Sequence, residues 1–401
     1  MNIVCDMPCN LLKNRVKLVF FSFTIVLISA CSSSVRPIHS DEVIQIVFDA
    51  KNPFTDFYAS SLFHSPKTII LETTKESLIG TINSLQVFDN KIFILDGYMA
   101  KKLFIFDMNG KFISQIGNFG KGPGEYIDIS DFTINVDEKH IYIRDNQSIH
   151  QYTTEGVFIR TINILNPYKK DLTYIQYYNG YIFAEAEIYP ESNNDEMFLK
   201  IDPSNGKIIE QYFKSSEYNY GWYGKTKMET GSFKACLNKP PKFSLTFMHQ
   251  IVSLDNMQPY IEIITDHLAT NEDINRLKRD EIKLWDFPKM HSIHNYVESN
   301  SFIFFSLWYN AGYYSILYDI HKKTNTVGFL MNDLVYKNLR MITKFQFSDN
   351  KGAYSAISPD GLFYLIESMK NNELIENLDK IDQLRKLDEE SNPVIFYYEF
   401  K

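Results

Sequence analysis

Cysteine is scarce in this chain, with four in 401 residues, at positions 5, 9, 31 and 236. So few thiols exclude a disulfide framework as the source of stability. No Cys or His cluster has the spacing of a zinc site; His291 and His294 stand three apart with no third or fourth ligand nearby. Positive charge is in deficit, 41 Lys+Arg against 49 Asp+Glu, which argues against nucleic acid or anionic lipid as partners. There is no Gly-x-Ser-x-Gly elbow for a hydrolase triad and no Asp-x-Asp-x-Asp-Gly calcium loop. No recognisable catalytic set is present, and nothing calls for a cofactor.

The N-terminus does carry a signal. Lys13, Arg15 and Lys17 precede an apolar run from Leu18 to Ile28, broken only by Ser22 and Thr24. That run is about 11 residues, and a spanning helix needs roughly 20, so it reads as an export signal. The sequence Leu27-Ile28-Ser29-Ala30-Cys31 resembles the bacterial lipobox, in which the Cys is acylated and becomes the first mature residue. A plain secretory signal with an incidental Cys31 is the alternative. The expected organisation is a signal over 1–30, a lipidated polar tether over 31–42 and one domain over 43–401. Cys5 and Cys9 leave with the signal, and Cys236 remains as a lone thiol, read as a spectator. Removing 1–30 leaves 38 Lys+Arg against 48 Asp+Glu.

Aromatics are plentiful, 26 Tyr and 31 Phe, and they fall in short β-periodic runs. From Lys67 the chain alternates β-branched or aromatic stretches with turn residues, such as Asp89-Asn90 and Asn109-Gly110. The pattern recurs over Phe132–Ile162 and again over Tyr174–Glu210; Gly110, Gly156 and Gly206 are spaced 46 and 50 residues apart. Four strands per unit at this period predict propeller blades. The later blades are assigned to Phe243–Ile264, to Phe302–Leu330, and to Phe345–Phe347 with Phe363–Glu367 and Val394–Phe400; Ile44–Thr73 closes the ring. The count is six four-stranded antiparallel blades, with five or seven also compatible. Two segments depart from the period, Asn271–Trp285 and Asn371–Glu390, and their apolar spacing predicts inserted amphipathic helices.

Ile70-Leu71-Glu72-Thr73, Glu76–Gly80, Phe106-Asp107 with Gly110-Lys111-Phe112, Gly117–Tyr126 and Asn392-Pro393-Val394 are similar to stretches of the six-bladed β-propeller lipoproteins of Bacteroides-type bacteria. These are distant relatives of NHL-repeat propellers. The resemblance covers nearly all of 43–401 and implies the propeller fold and lipidated export, but no settled activity. Surface-directed members tend to carry acids after the acylated Cys; here Ser32-Ser33-Ser34-Val35-Arg36 follows, which leaves the membrane face open.

Candidate site residues are few. Ser215–Gly231 is polar, glycine-punctuated and aromatic, and Tyr218, Tyr220, Trp222 and Tyr223 suit a glycan or peptide, if packing does not absorb the rings. Gly117–Tyr126 lacks the Gly-Lys-Ser/Thr of a phosphate loop. It reads as a connection between blades, with Lys121 able to reach a channel mouth. Asp96 and Asp145 fall at equivalent blade positions and are weak metal candidates, with Asp107 and Asp202 as possible additions; the alternative is that each caps a turn. The functional expectation is a non-enzymatic, envelope-anchored module that binds a glycan, a peptide or another envelope protein. A glycan hydrolase or lyase using Asp96 and Asp145, and an assembly role through the 371–390 helix, are the rival readings.

Overall fold

The computed structural model describes residues 43–51, 54–146, 148–166, 171–189, 194–223, 233–234, 239–337 and 343–401. The expected signal, the tether with Cys31, Cys236, and residues 224–231 of the aromatic segment lie outside the described residues. The described strands form six sheets of four or five strands, each built around an antiparallel set, and a small parallel ribbon pairing 118–119 with 125–126; the fold is a six-bladed β-propeller. Blade one is Ser84–Phe88, Lys91–Asp96, Lys102–Asp107 and Phe112–Ile116. Blade two is Ile129–Asn135, His140–Asp145, Ser148–Thr153 and Phe158–Asn163, and blade three is Leu172–Tyr178, Tyr181–Ala186, Glu196–Asp202 and Lys207–Lys214.

The strand Lys91–Asp96 shows why the blades stack. It is buried on both faces, as a strand between two covered surfaces must be. Ile92 and Ile94 pack toward Phe347, Tyr354 and Ile395 of the preceding blade. Phe93 and Leu95, pointing the other way, pack with Phe132, Ile143 and Tyr152 of the following one. Alternation of period two therefore divides the side chains between neighbours. Each such burial contributes about 1.5–3 kcal/mol.

Turn chemistry fits the pattern. Asp89-Asn90, Asn179-Gly180 and Asn310-Ala311 each close a two-residue hairpin with positive φ at both positions, the twist that matches β-ribbons. Gly110 has φ +87°, and a Cβ there would lie 2.1 Å from the Ile70 carbonyl oxygen of the neighbouring blade, so only glycine fits.

The ring closes in an unusual way. Lys67–Ile70 is the outermost strand of blade six, antiparallel to the C-terminal strand Val394–Glu399. Before it, Ile44–Val47 adds parallel to Gln258–Ile264 of blade four, and Thr55–Tyr58 adds parallel to Thr324–Met331 of blade five. The segment assigned to closure thus also supplies fifth strands to two blades.

Helix 271–278 forms where the spacing predicts, opened by a Thr270–Asp273 capping box and burying Ile274 and Leu277. The second insertion differs from expectation. Residues 363–367, read as a strand, lie inside the helix Pro359–Lys370. Residues 371–390, read as a helix, are turns with one short helix, Ile381–Leu384. The leucines of that segment face inward: Leu374, Leu378 and Leu384 are buried between blades five and six.

Candidate functional site

In every blade the start of the inner strand, the end of the second and the start of the third lie at one end of the sheet. Connections from blade to blade arrive there too, so this is the loop-bearing face. It receives, among the described residues, the stretch 215–223 after Lys214, helix 271–278, and residues 358–393.

Charged side chains converge at the inner-strand ends of this face. From blades two and three come Asp131 and Arg144, then Asp171, Tyr174, Glu185, Glu187 and Tyr189. Exposure falls from Asp128 at the surface through half-buried Asp171, Glu187 and Tyr189 to buried Arg144 and Asp131, the grading of a depression. Arg144 Nη1 donates to Ser130 Oγ at 2.5 Å. Burial lowers its affinity for the proton, and the carboxylates of Asp128, Asp171, Asp131 and Glu187 oppose that loss. Asp131 accepts the Ile175 amide at 2.8 Å, and burial pushes its carboxyl up to about 7. Tyr189 OH donates to Asp171 at 2.5 Å and lies 3.1 Å from Glu187.

Blades four to six contribute nitrogen bases instead of carboxylates. Lys234 is buried and pushed down to about 7, with Glu185 opposing the shift. His291 and His294 are held near 3 by burial, His294 also by Lys234, His291 and Lys344, so both rings are neutral at neutral pH. The carboxylates of the cluster therefore lie along blades two and three, while the amines near the uncharged histidines are Lys234 and Lys344.

A second feature lies between blade two and the loop that leads into it from blade one. A cleft of about 580 Å³ is lined by Lys121, Pro123, Glu125, Ile127, Asp145, His150, Phe158 and Thr161, with Gly120 and Gly122. The glycine-rich run connects the two blades, as the sequence indicates, and two tyrosines pin its ends: Tyr126 OH donates to the Ile116 carbonyl and Tyr152 OH to that of Gly124, both at 2.9 Å.

The candidates taken from sequence separate into those the site can use and those the fold has spent. Lys121 and Asp145 share the lateral cleft. Asp96 is wholly buried, and its oxygens accept the amides of Gly80, Thr81, Tyr98 and Met99 and the Thr81 hydroxyl. Asp145 likewise accepts the amides of Ile127 and Asp128, so turn capping is the role the structure gives both positions. Asp107 and Asp202 close hairpins at the other end of their sheets and cannot share an ion with Asp96 or Asp145. Among the described residues no three His, Cys, Asp or Glu side chains are placed to hold a metal ion.

In the aromatic segment, Tyr218 packs edge-on against Phe213 and Trp222 against Phe247, so packing absorbs them. Tyr220 and Tyr223 are exposed, and the Tyr220 carbonyl accepts Lys278 Nζ at 2.6 Å. Sequence reasoning missed the central cluster. Its one signal was polar residues inside predicted inner strands, such as Asp131, and strand periodicity alone does not separate axis-facing from blade-facing positions.

The crystal structure of a protein from Bacteroides fragilis described as exported is similar at 17% identity, covering 90% of this chain and all of that one, with TM-score 0.71. That of a DUF4221 family member from Bacteroides vulgatus is similar at 15% identity, covering 85% and 97%, with TM-score 0.48. The first likeness agrees with the propeller fold. No curated protein matches the sequence. The model of a family described as a domain of unknown function, DUF4934, matches residues 42–399, almost the whole propeller, and the chain therefore belongs to the DUF4934 family.

Proposed function

We propose that this protein is an exported, lipid-anchored binding module that holds its ligand in the central depression of the loop-bearing face. The leader and Cys31 support export and anchoring in the cell envelope, and the exported B. fragilis relative is consistent with it. The observation that carries the binding role is the separation of carboxylates from amines across the ring. Acids gather on blades two and three and bases on four to six, within a rigid ring that loses little entropy on binding.

Of the two ligand classes, glycan and peptide, this polarity favours the peptide. A short peptide with free termini places its ammonium toward Asp128, Asp171 and Glu187 and its carboxylate toward Lys234 and Lys344. A neutral sugar gains nothing from that separation. The test is thermal unfolding of the full-length protein in detergent against a peptide panel and an oligosaccharide panel. Free peptides should raise the midpoint by mass action, and the same peptides acetylated and amidated should not. The shift should also vanish in Tyr189→Phe and persist in Tyr220→Ala/Tyr223→Ala. Oligosaccharide shifts lost in the Tyr220/Tyr223 variant would move the site to the aromatic loop. No shift from either panel would overturn the reading.

A further inference from the structure

The lateral cleft holds a hydrogen-bonded chain that turn capping does not explain. Asp145 needs only the amides of Ile127 and Asp128 to do what Asp96 does in blade one. Yet its Oδ2 also lies 3.1 Å from His150 Nε2, and His150 Nδ1 lies 2.9 Å from Thr161 Oγ1. His150 and Thr161 are direct cross-strand partners on the two outer strands of blade two. The imidazole is buried, with the Phe158 ring 6.3 Å away, whereas Thr161 is exposed. All three side chains line the cleft, and Lys121 lines it from the connecting loop.

We propose that Thr161, His150 and Asp145 form a nucleophile–base–orienter relay, and that the cleft is an acyl-transfer site for small esters. The carboxylate fixes the tautomer by accepting the Nε2 proton, which leaves Nδ1 as the acceptor facing the Thr161 hydroxyl. Thr161 Oγ1 attacks the ester carbonyl, and its proton passes to His150 Nδ1. The C–O bond to the alcohol breaks, and His150 returns the proton to the departing alkoxide. Water then attacks the acyl-threonine with His150 again as base, releasing the acid and restoring the hydroxyl. No oxidant or reductant is needed. Lys121 supplies the positive charge for the transient oxyanion, and Ile127, Pro123 and Phe158 give an apolar wall for a short acyl group. This site is separate from the central depression.

The full-length protein is treated with a fluorophosphonate probe and assayed with p-nitrophenyl acetate, and adducts are mapped by mass spectrometry. The wild type should gain one adduct, on Thr161. Thr161→Val and His150→Gln should lose labelling and lower p-nitrophenol release about a hundredfold or more. Thr161→Ser should remain labelled, which a merely structural threonine would not produce. Val is close in shape to Thr at an exposed position, so unfolding midpoints should be unchanged. An unlabelled wild type, or an adduct that persists in Thr161→Val, would overturn the proposal.

Discussion

Glu298 is buried where blades four and five meet. Lys242 Nζ lies 2.8 Å from one oxygen and Lys239 Nζ 3.3 Å from the other, while Tyr296 and Tyr260 donate at 2.7 and 3.0 Å. Burial pushes the carboxyl up, but the two ammonium groups and the hydrogen bonds outweigh it and hold Glu298 at about 2. An acid whose pKa is depressed on folding contributes stability that is present above its unfolded value, near 4.3. That contribution is lost as pH falls from there toward 2. Glu298→Gln leaves two lysines facing a neutral amide, so it should cost about 3 kcal/mol at pH 7. It should also flatten the fall of the melting temperature between pH 4.5 and 2. A variant whose pH–melting curve overlays the wild type would show that the ion cluster adds nothing.

At the level of elements, legibility followed the strength of the local signal. Hairpins with Asp89-Asn90 or Asn179-Gly180 between strong β-formers stand where the sequence places them. Phe363–Glu367 failed because a short apolar run fits a strand or a helix equally. What decides is Leu362 and Leu365, buried one turn apart while Phe363 and Tyr364 face outward. Residues 371–390 failed for the opposite reason. Their leucines have helical spacing, but Asn372 and Lys380 take φ of +58° and +54°, which ends any helix there. The hairpin at Asn310-Ala311 offers a direct check on turn chemistry. Ala311 holds φ +54° without glycine's freedom, so Ala311→Gly should raise stability by about 0.5–1 kcal/mol in denaturant unfolding. A loss of stability would mean that the methyl group packs usefully.

Across the whole molecule, the six-fold period was readable because every blade repeats one solution to burying two faces. The site was not, because its residues come from five blades and share no spacing. Glu185, Lys234 and His294 are neighbours only once the ring exists. The peripheral relay was hidden differently: His150 and Thr161 looked like ordinary strand residues until the register placed them opposite each other. Closure is where the ends of the chain meet, since Val394–Glu399 pairs with Lys67–Ile70 on one side and Gly352–Ile357 on the other. A chain stopped after Ser391 should therefore leave blade six with half its strands. It should fail to melt cooperatively and be cut rapidly by trypsin where the full chain resists.

The N-terminal arm leaves the ribosome first, yet the strands that receive it, 258–264, 324–331 and 394–399, are made last. During synthesis its three strands have no partners. Each strand of the arm must remain unpaired until its own partner emerges, the last at 394–399, so completion of the ring doubles as a check that the last blade has been delivered. A chain threaded N-terminus first through a narrow pore would thus stay unfolded long enough to pass.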